Sequence, residues 1–188
     1  EKDRPYYRRT GGGMTLSGGE SLCQPEFAAA LLKAAQESGI HTAMESMGCA
    51  DWEVIERILP DLDQYLLDIE HMDPDKHREF TGKSNELMLE NAKKIAASGL
   101  TELSIRIPVI PGFNDTPEEI RDIALFAGSL PNVKRLHLLP YHRLGQDKYT
   151  GLGREYPMGN VEPPTRETMQ ILLATAEKNS GLECQIGG

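Results

Sequence analysis

Five short apolar runs in this chain each finish in residues able to bind or move charge. They end in Ser17-Gly18-Gly19-Glu20, Glu45-Ser46, Asp68-Ile69-Glu70, Arg106 with Pro108, and Pro140-Tyr141-His142-Arg143. Taken singly, each has a local explanation. Gly18-Gly19 suits a turn, Glu45 or Asp68 a helix cap, and His142 a hydrogen-bonded loop, because Gly, Asp and Ser serve turns for backbone reasons. Brought together on one face they would form a concave polar site of four carboxylates and two cations. Such a site suits a zwitterionic small molecule or a hard metal ion better than an apolar ligand.

What would bring them together is a repeating βα arrangement. Runs rich in aliphatic residues, at Gly13 to Ser17, Ile40 to Glu45, Gln64 to Ile69, Glu102 to Pro108 and Val133 to Leu139, alternate with segments of helical period. Helix starts are signalled by Pro25-Glu26, Asp51, Ser84, Thr116-Pro117-Glu118-Glu119 and Thr165. Gly39, Gly99 and Gly181 read as C-terminal stops after three of these helices, and Pro60 and Pro131 end the others. An apolar tail, Leu182 to Ile186, predicts a final strand. The pattern fits a parallel α/β fold, either an open doubly wound sheet or a complete or partial β/α barrel, and both place their sites at the carboxyl ends of strands.

The chain has 188 residues, 39% hydrophobic, enough for one sizeable core and one domain. Twenty Lys and Arg against twenty-nine Asp and Glu leave a net charge of -9, which gives a nucleic-acid backbone nothing to bind. No apolar run approaches the ~18 residues of a membrane span, and the first residues lack a signal-peptide core, so a cytoplasmic protein is expected. Cys23, Cys49 and Cys184 are odd in number and far apart, which argues against a disulfide framework and against a CxxC or CxxxCxxC metal site.

The segment Ser17-Gly18-Gly19-Glu20, directly after Met14-Thr15-Leu16, resembles the Gly-Gly-Glu motif of radical S-adenosylmethionine (SAM) enzymes. Three further segments resemble the branch that activates glycyl radical enzymes, typified by the pyruvate formate-lyase activating enzyme. They are Gly11-Gly12-Gly13, the stretch Arg106-Ile107-Pro108-Val109-Ile110-Pro111-Gly112-Phe113-Asn114-Asp115, and Leu138-Leu139-Pro140-Tyr141-His142-Arg143-Leu144-Gly145 followed by Lys148-Tyr149. The likeness runs from about Arg8 to Glu183, and Asn160-Val161-Glu162-Pro163-Pro164 fits it as well.

This resemblance implies a partial β/α barrel of TIM-barrel type and a SAM site. Gly18 and Gly19 would let the methionine part of SAM approach the backbone, and Glu20 would accept from its ammonium group. Arg106 would face the SAM carboxylate or ribose, and His142 the ribose and adenine. Glu45, Ser46, Asp68 and the Leu66 carbonyl would hold a monovalent cation, with Ser46 also near SAM. Glu70 stands where the family has Lys, and Glu45-Ser46-Met47-Gly48 replaces Asp-Thr-Asn-Gly.

The family's CxxxCxxC, whose thiolates bind a 4Fe-4S cluster, has no counterpart here. The expectation is therefore a C-terminal portion of an activating enzyme, with the first βα unit and the cluster ligands lying before Glu1. The full-length protein would cleave SAM reductively, taking its electron from a flavodoxin or ferredoxin-like donor, and would abstract hydrogen from a backbone glycine of a glycyl radical enzyme. No catalytic residue is assigned within the 188 residues. Two other readings remain: an inactive SAM-binding or structural module, and a metal-dependent barrel hydrolase or aldolase using Asp68, Glu45 and His142. The strand Gly13 to Ser17 is expected at an exposed sheet edge, covered by Arg4 to Thr10 or by another molecule.

Overall fold

The computed structural model describes residues 2–156 and 158–188, the side chains of residues 146–148 excepted. Lys148, part of the motif around His142, thus has its side chain outside the described residues. The chain opens with α1 (Arg4–Thr10) and β1 (Gly13–Leu16), followed by α2 (Pro25–Glu37), β2 (His41–Ser46) and α3 (Trp52–Ile58). Next come β3 (Gln64–Asp68), α4 (Pro74–Thr81), α5 (Glu86–Ser98), β4 (Glu102–Val109), α6 (Pro117–Ser129) and β5 (Val133–Pro140). Then α7 (Gln146–Gly151), α8 (Arg166–Ser180) and β6 (Glu183–Ile186) complete the chain.

All five strand pairs are parallel, and the sheet order is β1-β2-β3-β4-β5-β6. A doubly wound sheet reverses its order partway; an unbroken sequential order is that of an open, partial β/α barrel. Right-handed crossovers in one direction place the helices on one side of the sheet.

That side holds the core. Met44, Tyr65, Leu67, Leu103, Ile105, Ile107, Leu136 and Leu138 are buried in one cluster with Leu32, Ile55, Ile95, Ile123 and Leu172 of the helices. Successive strand residues point to opposite faces. Glu45, Asp68, Arg106 and His137, which alternate with these apolar residues, therefore line the inner, concave face.

Helix starts follow local chemistry in some places and not in others. Thr116 and Glu119 form a complete capping box at α6, and Thr165 accepts from the Thr168 amide at α8. Asp51 makes no capping bond, and Asn85 rather than Ser84 is the cap of α5. Four-residue β1 is one edge of the sheet. The segment before it is the helix α1, not a strand, and it adds no ladder to that edge. α1 buries no residue, and Arg4 donates to the Ser38 carbonyl beyond the end of α2, which ties the N-terminal segment to that helix end.

Gly13 explains how closely β1 approaches β2. A Cβ added there would lie 1.9 Å from the His41 carbonyl oxygen, its register partner. Gly13→Ala should push the edge strand outward and cost about 1–3 kcal/mol, seen as a lower midpoint in thermal unfolding. An unchanged midpoint would contradict this packing. Among the described residues no helix is long and apolar enough to cross a membrane.

Candidate functional site

Arg106 organises the inner face. It lies directly opposite Asp68 in the β3–β4 register, and its Nε and Nη2 donate to Asp68 Oδ1 and Oδ2 at 2.7 and 3.0 Å. Its Nη1 donates to Glu45 Oε1 on β2 at 2.7 Å. The other Glu45 oxygen accepts from Ser17 Oγ at 2.6 Å, which ties the end of β1 into the cluster. One guanidinium and one hydroxyl thus engage all four carboxylate oxygens. The Arg106 side chain is 11% exposed and those of Asp68 and Glu45 are 24% and 33% exposed, so the cluster sits half sunk in the cleft.

The titration behaviour follows the geometry. Burial favours the neutral form of Glu45, but the bonds from Ser17 and Arg106 outweigh it and hold this carboxyl below its usual range. At Asp68 burial wins, helped by the negative charges of Glu45 and Glu20, and the carboxyl stands above its usual value despite Arg106. Burial opposes the charge of Arg106 as well, and the two carboxylates more than offset it.

The glycine loop stands beside this cluster. Gly18 has φ of 125°, a conformation that strains any residue with a side chain. Gly19 has no such need, and a Cβ placed on it would meet nothing within 4 Å. Nothing within the described chain therefore requires glycine at 19, whereas a ligand lying against the backbone would. Glu20 is held by two backbone amides: Leu22 N–H donates to Oε1 at 3.0 Å and Met47 N–H to Oε2 at 3.2 Å. A hollow of about 340 Å³ lies against the loop, lined by Leu16, Ser17, Gly19, Glu20, Cys23 and Phe27 among others.

Not every expected residue joins the cluster. Ser46 alternates with Glu45, so its side chain lies on the opposite face of β2; it is buried and accepts from the Gly48 amide. Leu66 is inside the ladder, in register with Glu45 and with Ser104, and not at a strand end. His142 is exposed, accepts from the Leu144 amide, and makes no described bond to Glu20 or Arg106. Glu70 turns toward α4, with Oε2 3.6 Å from Nε2 of the buried His77, whose Nδ1 is 2.6 Å from the Lys83 carbonyl. Burial raises the Glu70 carboxyl, and the nearby His77 opposes the rise.

Two side chains of the site were not singled out in the sequence. His137 is in register with Arg106 on the same face. Its ring is buried, Nδ1 has no partner among the described residues, and burial with Arg135 and Arg106 lowers its pKa. Its alternation with the core residues Leu136 and Leu138 was the available signal. Asn114, fully buried, donates to the carbonyls of Glu70 and Pro108 and accepts from the Ile110 amide, fixing the loop after β4 against the end of β3.

A polar cleft at the carboxyl ends of sequentially ordered parallel strands, beside an open glycine loop, matches a known class. The pattern defining the radical SAM superfamily covers residues 6–127, and the chain belongs to that superfamily. It is 48% identical over 162 residues to the isethionate sulfite-lyase activating enzyme of Oleidesulfovibrio alaskensis, covering 86% of this chain and 52% of that protein. It is 42% identical over 183 residues to the 4-hydroxyphenylacetate decarboxylase activating enzyme of Clostridioides difficile, covering 95% and 56%. The chain thus spans a little over half the length of these relatives. The crystal structure of a domain of pyruvate-formate lyase-activating enzyme from Bacteroides vulgatus superposes with a TM-score of 0.77 at 31% identity, covering 94% of this chain and 99% of that one.

Superfamily membership implies SAM and a 4Fe-4S cluster, and the two fit this chain differently. For SAM the site offers an open backbone at Gly19, an anchored carboxylate at Glu20, and a guanidinium with donors to spare. For the cluster, no three His, Cys, Asp or Glu among the described residues are grouped as ligands. Cys23 is exposed, Cys49 and Cys184 are half-buried, and all three are free.

Proposed function

We propose that this chain is the SAM-binding portion of an enzyme that activates a glycyl radical enzyme. The observation that carries the reading is the juxtaposition of the vacant backbone at Gly19, the tethered carboxylate of Glu20 and the Arg106 cluster at the ends of adjacent strands. Glu20, with both oxygens already oriented by amides, would accept from the SAM ammonium group; its remaining lone pairs are free for this. Arg106 uses three of its five N–H groups on Asp68 and Glu45, which leaves one on each Nη for the SAM carboxylate. His142, exposed on the loop after β5, would reach the ribose and adenine only once SAM is seated.

Cleavage of SAM needs the cluster, whose ligands would have to come from residues other than those described. The 188-residue chain alone should therefore bind SAM without cleaving it. The glycyl radical partner follows from the relatives' roles as activating enzymes, and its delivery of a backbone glycine suits the open, lateral cleft of a six-stranded partial barrel. A flavodoxin or ferredoxin-like donor would supply the electron. Free cysteines suit the reducing cytoplasm.

Equilibrium dialysis against SAM and against 5'-methylthioadenosine, which lacks the amino and carboxyl groups, tests this reading. SAM should be retained and methylthioadenosine only weakly. Gly19→Ala should leave the melting temperature unchanged, since its Cβ meets no chain atom, yet weaken SAM retention. Equal retention of both ligands, or undiminished SAM binding by Gly19→Ala, would contradict the proposed orientation.

A further inference from the structure

The resemblance carries with it an alkali cation lodged between Glu45 and Asp68 and bridging them to the SAM carboxylate. The donor set does not fit one. A hard cation is held by several oxygens turned toward it; here each of the four carboxylate oxygens is turned toward a donor of the chain itself, at 2.6 to 3.0 Å, and the guanidinium that bridges Glu45 and Asp68 both fills the space between them and repels a second cation. The hydroxyl of Ser46 accepts from the Gly48 amide on the far face of β2, and Leu66 lies within the ladder. What remains between the carboxylates is a guanidinium.

We infer that Arg106 is the built-in counter-cation of this site, standing in for the alkali ion, so that the chain takes SAM without Na⁺ or K⁺. A guanidinium is suited to the task in three ways. It is permanently charged, its planar fork matches a carboxylate with two parallel bonds, and the fork-fork pairing with Asp68 fixes its plane. With its plane fixed, the two uncommitted Nη hydrogens have set directions, as an ion's open coordination positions would. Arg106 is then a positioning residue for the carboxylates and a binding residue for SAM.

The inference rests on the proposed function only for its consequence to SAM. The ion itself is measured without SAM, so one can fail while the other stands. The 188-residue protein is melted in potassium, sodium and tetramethylammonium chloride at equal ionic strength, which equalises screening, and thallium(I) is titrated as a potassium surrogate while its magnetic resonance line is followed. The wild type should show the same midpoint in all three salts and no thallium broadening beyond that given by Glu45→Gln. Arg106→Ala opens a vacancy between the carboxylates. It should gain potassium-specific stabilisation and thallium binding, both lost again when Asp68→Asn is added. The dissociation constant of SAM for the wild type should not change between potassium and tetramethylammonium.

Thallium binding by the wild type that Glu45→Gln abolishes would overturn the inference, as would SAM binding that demands potassium. If Arg106→Ala does not fold, the wild-type salt series and thallium titration decide the question alone. If SAM fails to bind at all, the proposed function falls, and the thallium result still decides whether Arg106 occupies the ion's place.

Discussion

Arg106→Met should destabilise the chain by about 3 kcal/mol, the lower end of the cost of removing one partner from a buried charge pair, because Asp68 and Glu45 keep some exposure. For a protein of this size that is a fall of roughly 6–12 °C in the unfolding midpoint. Methionine retains most of the volume of the arginine stem, so the loss reports the guanidinium and not a cavity. The pH dependence identifies the cause. Without the cation, burial and mutual repulsion place both carboxyls above their unfolded values, so each contributes stability below the unfolded value that is lost as pH rises through the folded one. The variant's deficit should be complete at neutral pH and should narrow as pH falls below ~4. In the wild type Glu45 runs the other way: its lowered pKa gives stability at neutral pH that fades in acid, narrowing the gap further. A deficit that is the same at pH 7 and at acid pH would show that the charges are not responsible.

Glu20→Ala should weaken SAM binding by about 1.5–3 kcal/mol, ~10- to 150-fold, the worth of a hydrogen bond to a charged group. Calorimetry reads it directly. Because Glu20 also accepts from the Leu22 and Met47 amides, the substitution removes a local cap, with a stability cost of about 1 kcal/mol. Glu20→Gln separates the two effects: one amide oxygen still accepts from the backbone while the charge is gone. It should recover most of the stability and little of the affinity. Full affinity in both variants would remove Glu20 from the site.

The strands were legible because each is buried on one face only by apolar side chains and punctuated by Gly or Pro. Every expected run overlaps an observed strand, and the tail from Leu182 to Ile186 proved to hold β6. The helices α1, α4 and α7 were not foreseen. In α4 the sequence Asp75-Lys76-His77-Arg78-Glu79 has no apolar period. It is held by the Asp73 cap, which accepts from the Asp75 and Lys76 amides, and by the buried His77. The N-terminal helix has no buried residue to create a period.

At the site, two-residue alternation was enough to put Glu45, Asp68 and Arg106 on one face. It could not say that Asp68 and Arg106 share a register while Glu45 is paired with Leu66, because register is set by the stagger of whole strands. That stagger is what sets Asp68 beside Arg106 as an ion pair. The same alternation, applied strictly, separates Ser46 from Glu45.

SAM is proposed to bind at the carboxyl ends of β1, β2 and β4. Mapping amide and arginine Nε resonances of the isotope-labelled chain during a SAM titration tests it most directly. Saturable shifts should concentrate at Gly18, Gly19, Glu20, Glu45 and the Nε of Arg106, with the opposite end of the sheet, at His41 and Glu102, unmoved. Shifts centred elsewhere, or none at all with the fold intact, would contradict it.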